Sequence, residues 1–176
     1  SNDENAITQA RFLSTQAKDV AAYYQHSILG YNYRMSNISA AIGVGQLLVL
    51  EDRVKARRDN HKFYEKIFGK VEGAEFLMEP QGYYSNRWLS CVLFDQLKNS
   101  NLSPEQFRKH LERNNIESRP LWKPMHMQPL YKDARYFGGK VSEQLFQKGL
   151  CLPSGSNLTS DQKERIKKSI HSFLNK

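Results

Sequence analysis

Three loops in this sequence hold the side chains best suited to chemistry on an anion. Arg119-Pro-Leu-Trp-Lys-Pro-Met-His126 sets a guanidinium, an indole, an ammonium and an imidazole in a stretch stiffened by two prolines. Arginine can pair with a phosphate through its planar fork, and an indole can stack on a ring. The stretch therefore suits an anionic ligand with flat or sugar faces. For His126 the competing reading is a structural histidine held by a hydrogen bond. Asn32 and Arg34 stand just ahead of Ser36, where a helix is expected to begin. Helix N-termini attract anions, and a nearby amide and guanidinium would strengthen a phosphate site; an ordinary loop contact is the alternative. Trp88 closes the third loop, Ser85–Trp88, and a polar stretch, Ser154-Gly-Ser-Asn157, follows the last expected strand.

None of these loops is a self-contained catalytic motif. The sequence has no G-x-G-x-x-G, no P-loop, no H-E-x-x-H and no G-x-S-x-G. Its two cysteines, Cys91 and Cys151, lie far apart in the chain and match no metal spacing, so no metal site is expected. Both sit in apolar settings, which suits buried, reduced thiols in a cytoplasmic protein.

The 176 residues suffice for one domain with a real core, and 39% hydrophobic content is too high for a disordered basic tail. No apolar run reaches the length of a membrane-spanning helix, so no membrane partner is expected. The formal net charge of +8 raises nucleic acid as a partner. Its distribution argues against that, because the basic residues fall mostly on helical stretches interleaved with Glu and Asp, the pattern of solvated helix faces.

Several elements must position the loops. Apolar positions at Ile7, Ala10, Phe12, Leu13 and Ala17 predict a first helix over residues 3 to about 19. A long helix is expected from Ser36 to about Phe68. Its first half, Ser39-Ala-Ala-Ile-Gly-Val-Gly45, is built of small residues, and glycine inside a helix costs about 1 kcal/mol against alanine. That half is expected to lie against another element, within this chain or outside it, and the charged half Glu51–Arg58 to be solvated. Trp88–Phe94 reads as a central strand. Ser103-Pro-Glu-Gln106 is a capping box that starts a helix over 104–114. Ile116–Arg119 reads as a short strand stopped by Pro120, Val141–Lys148 as a short helix, and Leu150–Leu152 as a strand. A capping pattern at Thr159–Gln162 opens a final helix striped by Ile166, Ile170, Phe173 and Leu174. The sum is an α/β or α+β domain.

Taken in order, Ala10–Ala17, His26–Asn37, Ala40–Gln46, Asn86-Arg-Trp-Leu-Ser90, Arg119–His126 and Gly149–Gly155 resemble the C-terminal part of the DegT/DnrJ/EryC1/StrS sugar aminotransferases. Within that family the likeness is greatest to enzymes that aminate UDP-4-keto-6-deoxy-N-acetylglucosamine on the bacillosamine route. The resemblance implies the fold type I, aspartate aminotransferase-like architecture. Residues 1–35 would be the tail of a large cofactor-binding domain, 36–70 a long connecting helix, and 71–176 a small α+β domain. It also implies pyridoxal 5'-phosphate as cofactor, glutamate and a UDP-linked keto-sugar as substrates, and a homodimer with shared active sites. The setting would be cell-surface polysaccharide or glycan synthesis.

Carried onto this sequence, Asn32 matches the asparagine that reaches a neighbouring subunit's cofactor phosphate, and Arg34 would assist with the substrate's phosphates. Trp88, Arg119, Trp122 and His126 match loops bordering the sugar-nucleotide site. The family's cofactor lysine falls before the segment matching residue 1. No residue here is therefore expected to be catalytic, and the chain is expected to be inactive alone. The alternative is a non-catalytic module that binds nucleotide sugars.

Overall fold

Side-chain caps start the helices where the sequence places Asp, Ser and Thr. The structure is a computed structural model that describes residues 1–175 in two units, Ser1–Val49 and Leu50 onward. In the first unit, α1 (Glu4–Ser14) begins behind Asp3, whose carboxylate accepts from the N–H groups of Asn5 and Ala6. The chain returns on itself through an antiparallel bridge between Thr15 and Asn32. Ala17, in left-handed backbone, is fully buried beneath Gly30. A Cβ on Gly30 would lie 2.6 Å from that of Ala17, so this crossing requires glycine. Helix α2 (Asn37–Leu48) is capped by Ser36, which accepts from the Ser39 N–H.

The single long helix expected from Ser36 to Phe68 is two helices, α2 and α3 (Leu50–Phe68). Val49 leaves helical geometry at φ −114°, ψ 9°, and its N–H turns to the Gln46 and Leu47 carbonyls. Glu51 and Asp52 then occupy the first turn of α3, where acidic side chains favour a new start. The small residues of α2 meet no other element among the described residues. Every residue of the helix is exposed, and a Cβ on Gly43 or Gly45 would touch nothing.

The second unit is an α+β fold. Strands β1 (Ala74–Phe76), β2 (Ser90–Phe94), β3 (Arg119–Pro120) and β4 (Gly149–Leu152) form one sheet in the order β1-β2-β4-β3, with every pairing antiparallel. The expected strand at 116–119 is displaced to Arg119–Pro120, at the sheet edge where proline's missing N–H is tolerated. Helices α4 (Pro104–Arg113) and α6 (Ser160–Leu174) stand where the capping patterns put them, and α5 (Val141–Lys148) stands where expected without a side-chain cap. Thr159 and Gln162 form the reciprocal capping box.

Along β2, Ser90, Val92 and Phe94 are buried and alternate with half-buried Cys91 and Leu93. The buried set joins Leu150 and Leu152 against Tyr64 and Phe68 of α3, Phe107 and Leu111 of α4, and Ile166 and Ile170 of α6. Phe107 sits at the centre, edge-on to Phe68 and Phe94. Helix α5 lies over the other face, where Leu93 and Leu145 border a shared cleft. Among the described residues, no helix is long and apolar enough to cross a membrane.

Gly149 begins β4 directly after α5. A Cβ there would lie 2.6 Å from the Leu145 carbonyl oxygen and closer still to Leu121 Cδ1. The leucine can turn aside, but the helix carbonyl cannot. Gly149→Ala should therefore destabilise the chain by about 1–3 kcal/mol in urea denaturation, the usual cost of overpacking.

Candidate functional site

The Trp88 loop is held in place by two arginines of α3. Arg57 donates through one terminal nitrogen to the Trp88 carbonyl and, at 3.2 Å, to the Ser154 carbonyl. Arg58 makes a two-pronged pair with Glu79, both contacts 3.0 Å, and donates to the Ser85 carbonyl. Its guanidinium also covers the Tyr84 ring at 4.2 Å. The expectation of a solvated helix face fails at these two positions, because both side chains are half-buried and committed to carbonyls far away in sequence. No local signal marks them; only the run of basic residues at the end of that helix half does.

Glu79 also accepts from the Ser85 N–H. The Arg58 hydrogen bond, followed by that backbone donor, holds its carboxyl at about 2.

Trp88 and Trp122 come together, with ring centroids 6.0 Å apart and planes tilted by 32°. They border a cavity of about 820 Å³ that Arg119, Lys123, Cys151 and Arg165 also line. Arg119 is a register partner of Cys151 across β3 and β4, and its guanidinium meets Glu117 with Nε 2.7 Å from Oε1. Arg165 donates to the Asn115 carbonyl at 3.2 Å. Of these lining cations, Arg165 has no sequence motif to mark it. Lys123 lies inside the quoted loop, whereas Arg165 reads in the sequence as one of a helix's many surface cations.

The remaining candidates sit elsewhere. His126 is not among the residues lining this cavity. Its Nε2 lies 3.1 Å from Glu143 Oε1 and its ring stacks on Tyr136 at 3.8 Å. Asn32 and Arg34 belong to the first unit, where Asn32 Oδ1 accepts from the Arg34 N–H at 3.1 Å. That bond leaves the Asn32 amide hydrogens, the donors a phosphate needs, without a protein partner among the described residues.

The cysteines are free as expected, with Cys151 buried and Cys91 half-buried, but they are not apart in space. Cys91 and Cys151 are direct partners across β2 and β4, with their sulfurs 3.6 Å apart and both free.

Residues 1–171 match the DegT/DnrJ/EryC1/StrS aminotransferase family. The chain belongs to that family. It is 46% identical over 170 residues to EpsN of Bacillus subtilis, named as a pyridoxal phosphate-dependent aminotransferase, with 94% of this chain and 43% of that protein covered. It is 30% identical over 172 residues to the GDP-perosamine synthase of Escherichia coli O157:H7, covering 98% of this chain and 45% of that one. The fold matches the aminotransferase TlmJ from Streptoalloteichus hindustanus with a TM-score of 0.82 at 19% identity, over 99% of this chain and 46% of that one. The chain thus spans about half the length of the relatives it matches. The family expectation stands, whereas the narrower likeness to bacillosamine-route enzymes does not single itself out, since relatives named for a GDP-sugar product stand among the similar proteins.

Two outcomes follow from the arginine anchors. Arg57→Ala leaves the Trp88 and Ser154 carbonyls without their donor and should cost about 1–3 kcal/mol of stability, read by urea titration of tryptophan fluorescence. Glu79's ordinary value is 4.5, so its pairing contributes fully above that and is lost as pH falls towards about 2. The near-UV circular dichroism of Tyr84 and Trp88 should fade across that window. In Glu79→Gln it should already be weak at pH 7.

Proposed function

We propose that this chain is the substrate-positioning part of a pyridoxal-phosphate-dependent nucleotide-sugar aminotransferase. The observation that carries the reading is the family match over residues 1–171. In this reaction glutamate gives up its amino group and becomes 2-oxoglutarate, and a 4-keto-6-deoxy sugar nucleotide becomes the 4-amino sugar. The cofactor, when bound, supplies the carbonyl that carries the amino group and the conjugated ring that takes up electrons during each transfer.

The residues present suit two tasks around that chemistry. The donor hydrogens of Asn32 suit a cofactor phosphate, with Arg34 beside it for the substrate's diphosphate. In the second unit, the Trp88–Trp122 pair offers apolar faces for a base or sugar, and Arg119 and Lys123 offer donors to phosphate. His126, held by Glu143 and Tyr136, fixes the loop that follows Trp122 and stands in this reading as a border residue of the site. The covalent lysine is assigned to sequence outside this chain, which is therefore inactive alone and works within a homodimer. The sequence likeness favours a UDP-linked N-acetylated sugar, while the likeness to GDP-perosamine synthases supports a GDP-linked one.

The chain itself tests the binding half of this reading. UDP-sugar or GDP-sugar should quench the fluorescence of the two tryptophans, and the nucleotide that binds more tightly identifies the substrate class. Trp88→Ala and Trp122→Ala should each raise the Kd about tenfold, as expected for losing one stacking face. The protein extended to the length of its relatives should then release 2-oxoglutarate from glutamate in the presence of the keto-sugar. If the extended protein binds nucleotide sugar but never takes up pyridoxal phosphate, the non-catalytic binding module replaces the transaminase.

A further inference from the structure

We propose that Cys91 and Cys151 form a cross-strand dithiol that closes to a disulfide by exchange with a small-molecule disulfide, a redox modification site in the wall of the tryptophan cavity. The backbone already meets the geometric demand. The two residues are direct partners of an antiparallel ladder. Such partners have Cα atoms about 4.5 or 5.5 Å apart, depending on the pair type, and both values fall inside the range a disulfide spans. The sulfurs, 3.6 Å apart, face each other on the same side of the sheet. Bond formation needs a change in side-chain torsion and no movement of one strand relative to the other.

Access and ionisation also fit. Cys151 is buried but borders the cavity, and Cys91 is half-buried. Either sulfur can donate to the other across this contact; with Cys91 as the donor, the Cys151 thiol is lowered and Cys91 is raised, with burial adding to the latter. Cys151, which lines the cavity where Cys91 does not, is the first nucleophile. Its thiolate attacks one sulfur of the disulfide reagent and expels a thiolate, giving a mixed disulfide at Cys151. Cys91 then loses its proton to solvent, attacks Cys151 sulfur and expels the second thiolate. Two protein thiols are oxidised and one reagent disulfide is reduced to two thiols. No further oxidant is required.

The site does not depend on the transaminase reading, and its test is separate. The folded 176-residue chain is equilibrated with oxidised glutathione and then acid-quenched. The titratable thiols should fall from two to none, the monomer mass should drop by two hydrogens, and protease mapping should join the Cys91 peptide to the Cys151 peptide. Closure should occur at an oxidised glutathione concentration about tenfold lower than in urea, because folding holds the sulfurs together. Cys91→Ser and Cys151→Ser, which lack a second thiol to resolve the mixed species, should instead retain glutathione as a stable adduct. Three results with the unmutated chain would overturn the proposal, and they stand whether or not the variants fold. These are two thiols still titratable, glutathione retained on either cysteine, or disulfide-linked dimers.

Discussion

The second unit depends on burying one face of a small sheet. Side chains alternate across a strand, so once Val92, Phe94, Leu150 and Leu152 are driven into the aromatic core, their neighbours have no choice of side. Cys91 and Cys151 must point away from α3, α4 and α6, and Arg119, register partner of Cys151, must share that face. Phe107, in contact with Phe68, Phe94 and Phe173, ties three helices and the central strand to one register. A one-residue slip of β2 and β4 would replace Val92, Phe94, Leu150 and Leu152 in the core with Cys91, Leu93, Gly149 and Cys151, too little volume to fill it. The chemistry-bearing face is in this sense a by-product of the hydrophobic one.

That dependence explains what was legible in the sequence. Local rules dominate at helix starts, so the caps at Ser36, Ser103 and Thr159 and the proline at the head of α4 were readable. The apolar strands β2 and β4 were readable from their composition. The three-residue β1 was not, since Ala-Glu-Phe has no run long enough to show a period and exists as a strand only because β2 lies beside it. The break at Val49 was missed because the residues on both sides favour helix, and only backbone geometry marks the change.

The site divides along the same line. Trp88, Arg119 and Trp122 were recognisable as residues, but their neighbourhood depends on pairings the sequence does not display. The contact of Arg57 with Ser154 crosses 97 positions and that between the two sulfurs crosses 60. Such separations carry no periodic signal. Arg57 and Arg58 show the consequence: in the sequence they belong to a charged helix surface, whereas in the fold they pin the loop that presents Trp88. Position along a helix predicts exposure on average, but it does not reveal which loop will come to lie over one turn.

The charge of +8 can be placed in the same way. Several of the cations behind it are locally engaged: Arg58 with Glu79, Arg108 with Glu105 and Glu112, Lys98 with Glu75. These pairs leave the distant field of the chain positive, because pairing redistributes charge without cancelling the excess. In the proposed function, recognition at the cavity depends instead on which donors can be released. The Arg119–Glu117 pair is open to water, with side chains 78% and 73% exposed, and an exposed pair contributes about 0–1 kcal/mol. A diphosphate, with more charge and more acceptor oxygens than one carboxylate, can displace Glu117 at little cost. Arg58, with a two-pronged partner, a carbonyl and an aromatic face, would lose far more on release. The fold thereby separates cations that hold the loop from cations free to meet a ligand.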